Sequence, residues 1–523
     1  MTLRHFFIII ATLFFVRSAS AQTPHLPMDH WGYEFMERLE TRGLLDQAYF
    51  RTLPLSRGDI ARALQGMGTR LQSGAISLSA TERALFEKLK GELADELVSL
   101  GVTVQAEELE RHAWSHTTSA ATIHLDAHFA ERAVLEGFSG MPDTLNSSRT
   151  TIGARLRGKL SKNLAFYADF YNTLIKGEDL PERNYDASAG LPISGSGGNR
   201  FIDQTIGYLV YKFPWAEILA GRDVLHWGPG HTDALTVSGS GEVFDQIRAT
   251  VDFSRFRYTA VVGWLNSSID KKRLAAHRVD IRATSRLNFA MMETVIYGGR
   301  GVQFIYANPL TVYHIAEKHA GDKDNNTISF EANWRMADNL RIYTEFFFDD
   351  YSLSEHPLDF WGNKWAVTGG VHWTNPAGLR DSDLRVEYVR IEPWVYTHWK
   401  PINVYTNYDR SLGHPLGPNA DLLLVEFRRY VNRSLRLIGS LEHRRRGRGD
   451  ILTQHFPWDG TKKEFLDGTV ESATAWRAGI RYEALRDVFW QLDYRYRPHN
   501  NYRRQPGLDV TGHQAALSLT IDY

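Results

Sequence analysis

No cysteine occurs anywhere in the 523 residues, which removes disulfide scaffolds, thiolate metal sites and cysteine nucleophiles together. Long apolar runs are also missing after the first twenty or so residues. A membrane-spanning helix needs about 20 apolar residues in succession, so a mature chain in a membrane must cross it with strands. Net charge is missing too: 60 basic and 61 acidic residues nearly cancel, and no whole-chain field exists to attract nucleic acid. Neither an HExxH nor a GxSxG pattern is present, and strand spacing alone does not bring a serine beside a histidine. The reading is therefore of a non-enzyme without metal or cofactor.

The first residues carry an address. Arg4 and His5 precede an apolar run at 6–16 that only Thr12 interrupts, and Ala19-Ser20-Ala21 is a small-x-small cleavage site. This is a secretory signal peptide, 1–21, too short to span a bilayer as a helix. Residues 22–115 follow as a small helical domain. Trp31, Phe35 and Leu39 recur at helical spacing, with Gly43 as a stop. Ser56-Arg57-Gly58-Asp59 and Ser79-Ala80-Thr81-Glu82 read as capping boxes, the second opening one helix that runs to Leu100. The stretch from Asp29 to Leu64 resembles a single S-layer-homology repeat, which implies a periplasmic contact with peptidoglycan or another wall polymer. A bundle that docks on or plugs a barrel is the other expectation.

From about residue 119 the hydrophobic period falls to two. Ile123, Leu125, Ala127 and Phe129 alternate with His124, Asp126 and His128; Trp476, Ala478, Ile480 and Tyr482 repeat the pattern. Charged residues such as Arg155, Arg157, Asp169, Arg385 and Glu387 take the other parity, where a wet lumen would solvate them. Short polar turns (161–163, 213–214, 336–339, 431–433, 485–487) alternate with long segments (174–200, 224–245, 299–325, 393–420, 445–472). Outer-membrane barrels pair short periplasmic turns with long external loops. Counting up and down predicts a transmembrane antiparallel β-barrel of about 18 strands over 116–523, with Tyr, Trp and Phe at 12 % of the chain to furnish interfacial girdles. The last strand ends on the aromatic Tyr523, which resembles the signal read by the outer-membrane insertion machinery.

Four segments carry a further likeness: AGRDVLHWGPG (220–230), RVDIR (278–282), ETVIYGGRGVQFIYANPL (293–310) and YTEFFFDD (343–350). Together they resemble the Wzi-type capsule-assembly proteins, outer-membrane β-barrel lectins. The resemblance implies a non-catalytic protein of the cell outer membrane that binds surface polysaccharide and supports capsule or exopolysaccharide assembly or attachment. A porin-like channel for small solutes or oligosaccharides is the alternative, because barrels of 16–18 strands can keep an aqueous lumen.

Sugar recognition combines aromatic faces with planar polar groups. The loop at 393–420 offers Trp394, Tyr396, Trp399, Tyr408 and His414, as ligand contacts or as girdle and packing residues. The loop at 222–245 offers Arg222, His226 and Trp227 beside glycines that would permit an inward fold. Arg300, Asn308 and Tyr313 match the family-like stretch and are expected to line the same cavity. Asp349 and Asp350 end a strand at the external rim and read as solvated, since two aspartates are too few ligands for Ca²⁺. The run Arg444, Arg445, Arg446 and Arg448 is expected at an external rim, facing lipopolysaccharide phosphates.

Overall fold

The computed structural model describes residues 23–45, 51–104, 109–119, 121–139, 144–177, 199–239, 243–408 and 410–522. The expected signal peptide and Tyr523 lie outside them. None of the described helices is long and apolar enough to cross a membrane. Eighteen antiparallel strands instead close into one barrel, with strand Thr122–Phe138 sealed against strand Val510–Asp522 from His128↔Asp522 to Phe138↔Gly512.

Parity decides which way each side chain faces. On strand Glu471–Leu485, Trp476, Ile480 and Tyr482 stand exposed on the outer wall, while Arg477 turns inward to meet Asp493 at 2.6 Å. Leu492, Tyr494 and Leu517 continue the greasy outer surface. In water such a belt would drive aggregation; in a bilayer it is solvated. Short hairpin turns close one end, which in outer-membrane barrels faces the periplasm. Asn339 (φ +70°) and Asp487 (φ +63°) take the left-handed conformation that these tight turns require. At the opposite end, strands Thr122–Phe138 and Thr144–Lys159 have 17 and 16 residues, more than the 9–11 that cross a bilayer. Their upper parts project outward, and polar pairs such as Thr150–Glu131 (2.6 Å) and Asn172–Asp203 (2.7 Å) are found there on the outer wall.

The N-terminal helices close the short-turn end. They are α1 (Gly32–Thr41), α2 (Arg57–Gln72), α3 (Ala80–Glu92) and α4 (Ala94–Ser99). Ser79 and Glu82 form the reciprocal capping box. Ser56 caps α2 by accepting from the Asp59 N–H, but the Asp59 carboxylate turns away to Arg62 and Arg257, so that box is half made. The helix expected to run unbroken to Leu100 is interrupted at Leu93, two residues after Gly91, where intrinsic helix propensity is weakest. Phe35, Leu39, Leu64, Phe86, Leu89 and Leu97 make the bundle's own core.

Charge joins this bundle to the barrel. Glu37 on α1 pairs with Arg341 and Arg385 of two strands and lies 3.7 Å from Arg51. Glu34 pairs with Arg428 (2.8 Å) and Arg436, Arg38 with Asp383 (2.6 Å), and Lys88 on α3 with Glu483 (2.5 Å). Burial alone pushes the Glu37 carboxyl up, but the guanidinia of Arg385, Arg341 and Arg51 outweigh it and hold the group well below the usual carboxylate range. A carboxyl held low stabilises above its unfolded value and loses that stabilisation as pH falls through its folded value. Docking should thus persist down to about pH 5 and weaken only in stronger acid. Glu37→Gln leaves buried guanidinia without a counter-charge, a change that costs about 3–5 kcal/mol. The expected outcome is faster proteolysis between α4 and the barrel in detergent solution. Unchanged protection at neutral pH would show that other contacts hold the bundle.

Candidate functional site

Beyond strand Glu217–Asp223 the chain turns into the lumen rather than out to solvent. Residues 226–227 pair with Thr52–Leu53 of the N-terminal domain as a two-stranded sheet, Trp227 opposite Thr52. Material entering from the external end therefore meets material entering from the periplasmic end. Two wall carboxylates, both fully buried, hold the descending loop. Glu345 accepts from the Leu235 and Thr236 N–H groups, each at 3.0 Å, and from the Thr236 hydroxyl at 2.7 Å. Glu387 accepts from the His231 N–H, the Thr232 N–H at 2.7 Å and the Tyr343 hydroxyl at 2.7 Å. Gly228 has φ +152°, and a Cβ there would meet Ala234 at 2.5 Å and Glu345 at 2.7 Å, so a side chain would break this seat.

A second loop, 392–419, roofs the first. The Tyr396 hydroxyl donates to the Leu235 carbonyl at 2.7 Å and the Tyr405 hydroxyl to the Thr236 carbonyl at 2.8 Å. Their rings lie 5.6 Å apart, nearly parallel, with Phe347 beside them. The loop continues to another part of the wall, where the Tyr408 N–H donates to the Asn266 carbonyl at 3.1 Å. Trp394 (φ +62°), Tyr396 (φ +71°) and Tyr408 (φ +50°) all occupy left-handed backbone that bulky residues avoid. Such strain persists only where the surroundings over-determine it, and it concentrates at functional sites.

Above this roof three external loops (351–363, 392–419 and 447–470) assemble an aromatic platform. Trp361 and His455 stack with centroids 3.6 Å apart and planes 4° from parallel. Trp394 stands edge-on to both, at 6.3 Å and 5.0 Å. Nearby on the same loop as His455, Phe456 and the highly exposed Trp458 stack at 4.6 Å. Backbone bonds tie two of the loops together, Trp361 N–H to Thr461 carbonyl and Lys463 N–H to Asp359 carbonyl, and Arg448 N–H to Asp467 carbonyl closes the 447–470 loop on itself. The Asn419 amide donates to the Arg448 carbonyl at 3.0 Å. Burial holds the His455 imidazole below its ordinary pKa, with a smaller opposing effect from its bond to the Gly460 carbonyl. The platform is half-buried and lined by flat rings.

The residues singled out in the sequence are scattered over this architecture. Trp394 belongs to the platform and Trp399 is exposed on the same loop, with the Lys400 ammonium 4.6 Å over its ring. Trp227, Tyr396 and His414 are buried in the lumen filling, where His414 lies 3.1 Å from the Thr232 hydroxyl. His226 receives the Gly239 N–H at 3.0 Å in the same filling. Arg222 has the outward parity of its strand and donates to the Tyr408 hydroxyl at 3.2 Å. Arg300, Asn308 and Tyr313 do not line the lumen: their loop folds over the outside of the barrel, because Glu293 and Tyr297 beneath it have outward parity. The arginine run is not one patch. Alternation sends Arg444 and Arg446 inward, the latter to the Leu416 carbonyl at 2.8 Å, and leaves Arg445 outward on Asp421 at 2.5 Å. Arg448, in the following loop, pairs with Asp467 at 2.8 Å. Asp349 and Asp350 are not simply solvated, since Asp349 accepts the Tyr396 N–H at 2.6 Å and Asp350 pairs with Lys364 at 2.7 Å. Among the described residues no cluster could hold a metal ion. Trp361, His455, Phe456 and Trp458 are not among the residues the sequence singles out; tryptophans on long loops are their only signal there.

A lipid-facing cylinder that carries its own loops inside, under an external aromatic surface, is an outer-membrane β-barrel. The model of the capsule assembly protein Wzi family matches residues 147–513, and the chain belongs to that family. Among solved structures it is similar to Wzi of Escherichia coli, described as an outer-membrane protein involved in group 1 capsule assembly and a carbohydrate-binding β-barrel. That likeness has a TM-score of 0.60 at 13 % identity, covering 95 % of this chain and 99 % of that one. A BenF-like porin of Pseudomonas fluorescens Pf-5 aligns at TM-score 0.46 and 9 % identity, over 77 % of this chain and 99 % of its own. No curated protein matches by sequence.

The loops anchored in the lumen make a direct prediction. In planar bilayers the native protein should give no steady channel steps. Replacing both Glu345 and Glu387 with Ala strips the loop of its buried acceptors, and steady conductance should then appear. Equal silence from the double variant would mean that the roof loop seals the lumen without them.

Proposed function

We propose that this protein is a non-catalytic lectin of the outer membrane, holding surface polysaccharide at the cell exterior in support of capsule or exopolysaccharide assembly or attachment. The observation that carries the reading is the platform of Trp361, His455 and Trp394. Pyranose rings present flat C–H faces that pack on aromatic faces, while amide, carboxylate and guanidinium groups take the hydroxyls. The interlocked loop backbones mean that little ordering entropy is lost when a chain settles on these rings. A solute channel is the weaker reading, because the lumen beneath the platform carries loops anchored by Glu345 and Glu387.

The partners in this reading are polysaccharide above and outer-membrane lipid with lipopolysaccharide around the wall, after delivery by the outer-membrane insertion machinery. A wall-polymer contact, as the S-layer-homology likeness implies, would fall to the far side of the bundle around Thr69 and Gln72, which are exposed. The α1 face is occupied by the barrel.

Each aromatic contact of this kind is worth about 0.5–1.5 kcal/mol. Trp361→Ala together with Trp394→Ala should lower polysaccharide retention by roughly tenfold, measured by pull-down on capsular or exopolysaccharide and by retention at the surface of a complemented deletion strain. Barrel yield and heat-modifiable migration should not change. Full retention by a correctly folded double variant would end the assignment of the platform, and absence of any polysaccharide binding by the native protein would end the lectin reading.

A further inference from the structure

The loop that follows strand Leu287–Gly298 departs from the pattern of the loop anchored by Glu345 and of its roof. It contains α5 (Phe304–Ala307) and α6 (Tyr313–His319). Residues 301–316 read GVQFIYANPLTVYHIA, with no Asp, Glu, Lys or Arg among them, whereas Arg300 precedes the run and Glu317 and Lys318 follow it. An external loop surrounded by water has no reason to exclude charge over that length.

Register places this hairpin on the outer wall. Met292 faces the lumen, where Arg278 contacts it at 2.9 Å, so Glu293, Val295 and Tyr297 face outward. Tyr306 and Tyr313 are buried against Val295, Tyr297 and Ala275 of that outer face. The Tyr313 N–H, at the start of α6, donates to Glu293 at 3.0 Å, and His277 on the neighbouring strand meets the same carboxylate at 2.9 Å. Farther down, the Tyr258 hydroxyl donates to the Pro309 carbonyl. Tyr258 is the third residue of strand Phe256–Leu265, close to its periplasmic turn, so the tip at Asn308–Leu310 descends well below the external rim. Glu293, His277 and Tyr258 are polar groups on a wall that lipid should cover, where an unshielded carboxylate is costly. The hairpin covers them. On its own outer side Phe304 is 91 % and Leu310 88 % exposed, with Ile315 and Val312 beside them.

We propose that residues 301–316 form a re-entrant helical hairpin that lies outside the barrel and rests in the acyl chains of the outer leaflet, with lipid as the occupant of its exposed apolar face. Its outer side chains continue the greasy surface that the barrel already presents through Phe289, Met291, Phe330 and Phe346. Charge returns only at the root, with Arg300 paired to Asp324 and Lys318 exposed, at the level of the headgroups. The lipid contact is thereby extended beyond the strands, and a carboxylate on the outer wall is tolerated because α6 covers it. Lipid is favoured over a second copy of the chain because the apolar face is continuous with lipid-facing wall on this side.

The absence of native cysteine makes the test simple. Single variants Leu310→Cys and Leu353→Cys, the second 94 % exposed on an external loop, can be labelled with an environment-sensitive fluorophore and reconstituted in phosphatidylcholine vesicles. The label at 310 should emit blue-shifted, be quenched severalfold by doxyl-phosphatidylcholine and be insensitive to aqueous iodide, with the reverse at 353. Iodide quenching at 310 without doxyl quenching overturns the proposal, as does oxidative cross-linking of Leu310→Cys into dimers at high lipid-to-protein ratio, which would identify a second copy as the occupant. Should the cysteine at 310 perturb the hairpin, Phe304→Cys repeats the measurement from the other helix. These readouts do not involve polysaccharide, so their outcome is independent of the lectin reading.

Discussion

Hydrocarbon offers no partner to a peptide N–H or C=O, and every backbone group within the bilayer must find one inside the protein. The closed ladder from strand Thr122–Phe138 around to strand Val510–Asp522 meets that demand without leaving an edge. Closure then imposes the rest. Once strands ring a space, alternate residues must face it, and the charged residues of inward parity need either water or one another. Arg278 with Asp280 and Glu331, and Arg155 with Asp169, are the second solution. Much of the remaining space is taken by chain that enters from both ends and pairs at Thr52–Leu53 with His226–Trp227.

Carboxylates are the fixings of this inner structure. A wall glutamate with two lone-pair-rich oxygens can collect several donors from a loop that has no secondary structure of its own. Glu345 and Glu387 do so for the descending loop, and the tyrosines of the roof then bond to the loop's carbonyls. The same chemistry reversed joins the helical bundle, where Glu37 gathers arginines from two strands and from residue 51. Because each end of the lumen is built on the other, the platform above has a firm floor. The left-handed backbone at Trp394 and Tyr396 is held by bonds on both sides, from the Tyr396 N–H to the Asp349 carboxylate and from the Tyr396 hydroxyl to the Leu235 carbonyl.

Alternation of period two, short and long connections, and the Ser79 capping box are local properties, and each was readable without coordinates. They suffice for barrel, strand number, sidedness and the bundle. The split of the arginine run is also local, since Arg444 and Arg446 share one parity and Arg445 has the other. The uncharged run at 301–316 after Gly298 is a local sign of an apolar surrounding, but it does not say on which side of the wall that surrounding lies. The pairing of Trp361 with His455 has no local trace beyond a tryptophan on a long loop, because their stacking depends on how two loops distant in the chain fold over the same rim.

The amino-acid sequence by itself determined that this chain is a cylinder with a greasy skin and a polar interior, because parity and turn chemistry act between residues a few positions apart. Tertiary structure alone decided what occupies the interior, which aromatic rings meet at the surface, and that one loop goes outside rather than in. Those outcomes rest on hydrogen bonds and ring contacts between separate segments, from Tyr313 with Glu293 and Trp361 with His455 to Thr236 with Glu345 and Thr52 with Asp280. No periodicity in a single strand of text encodes such pairings.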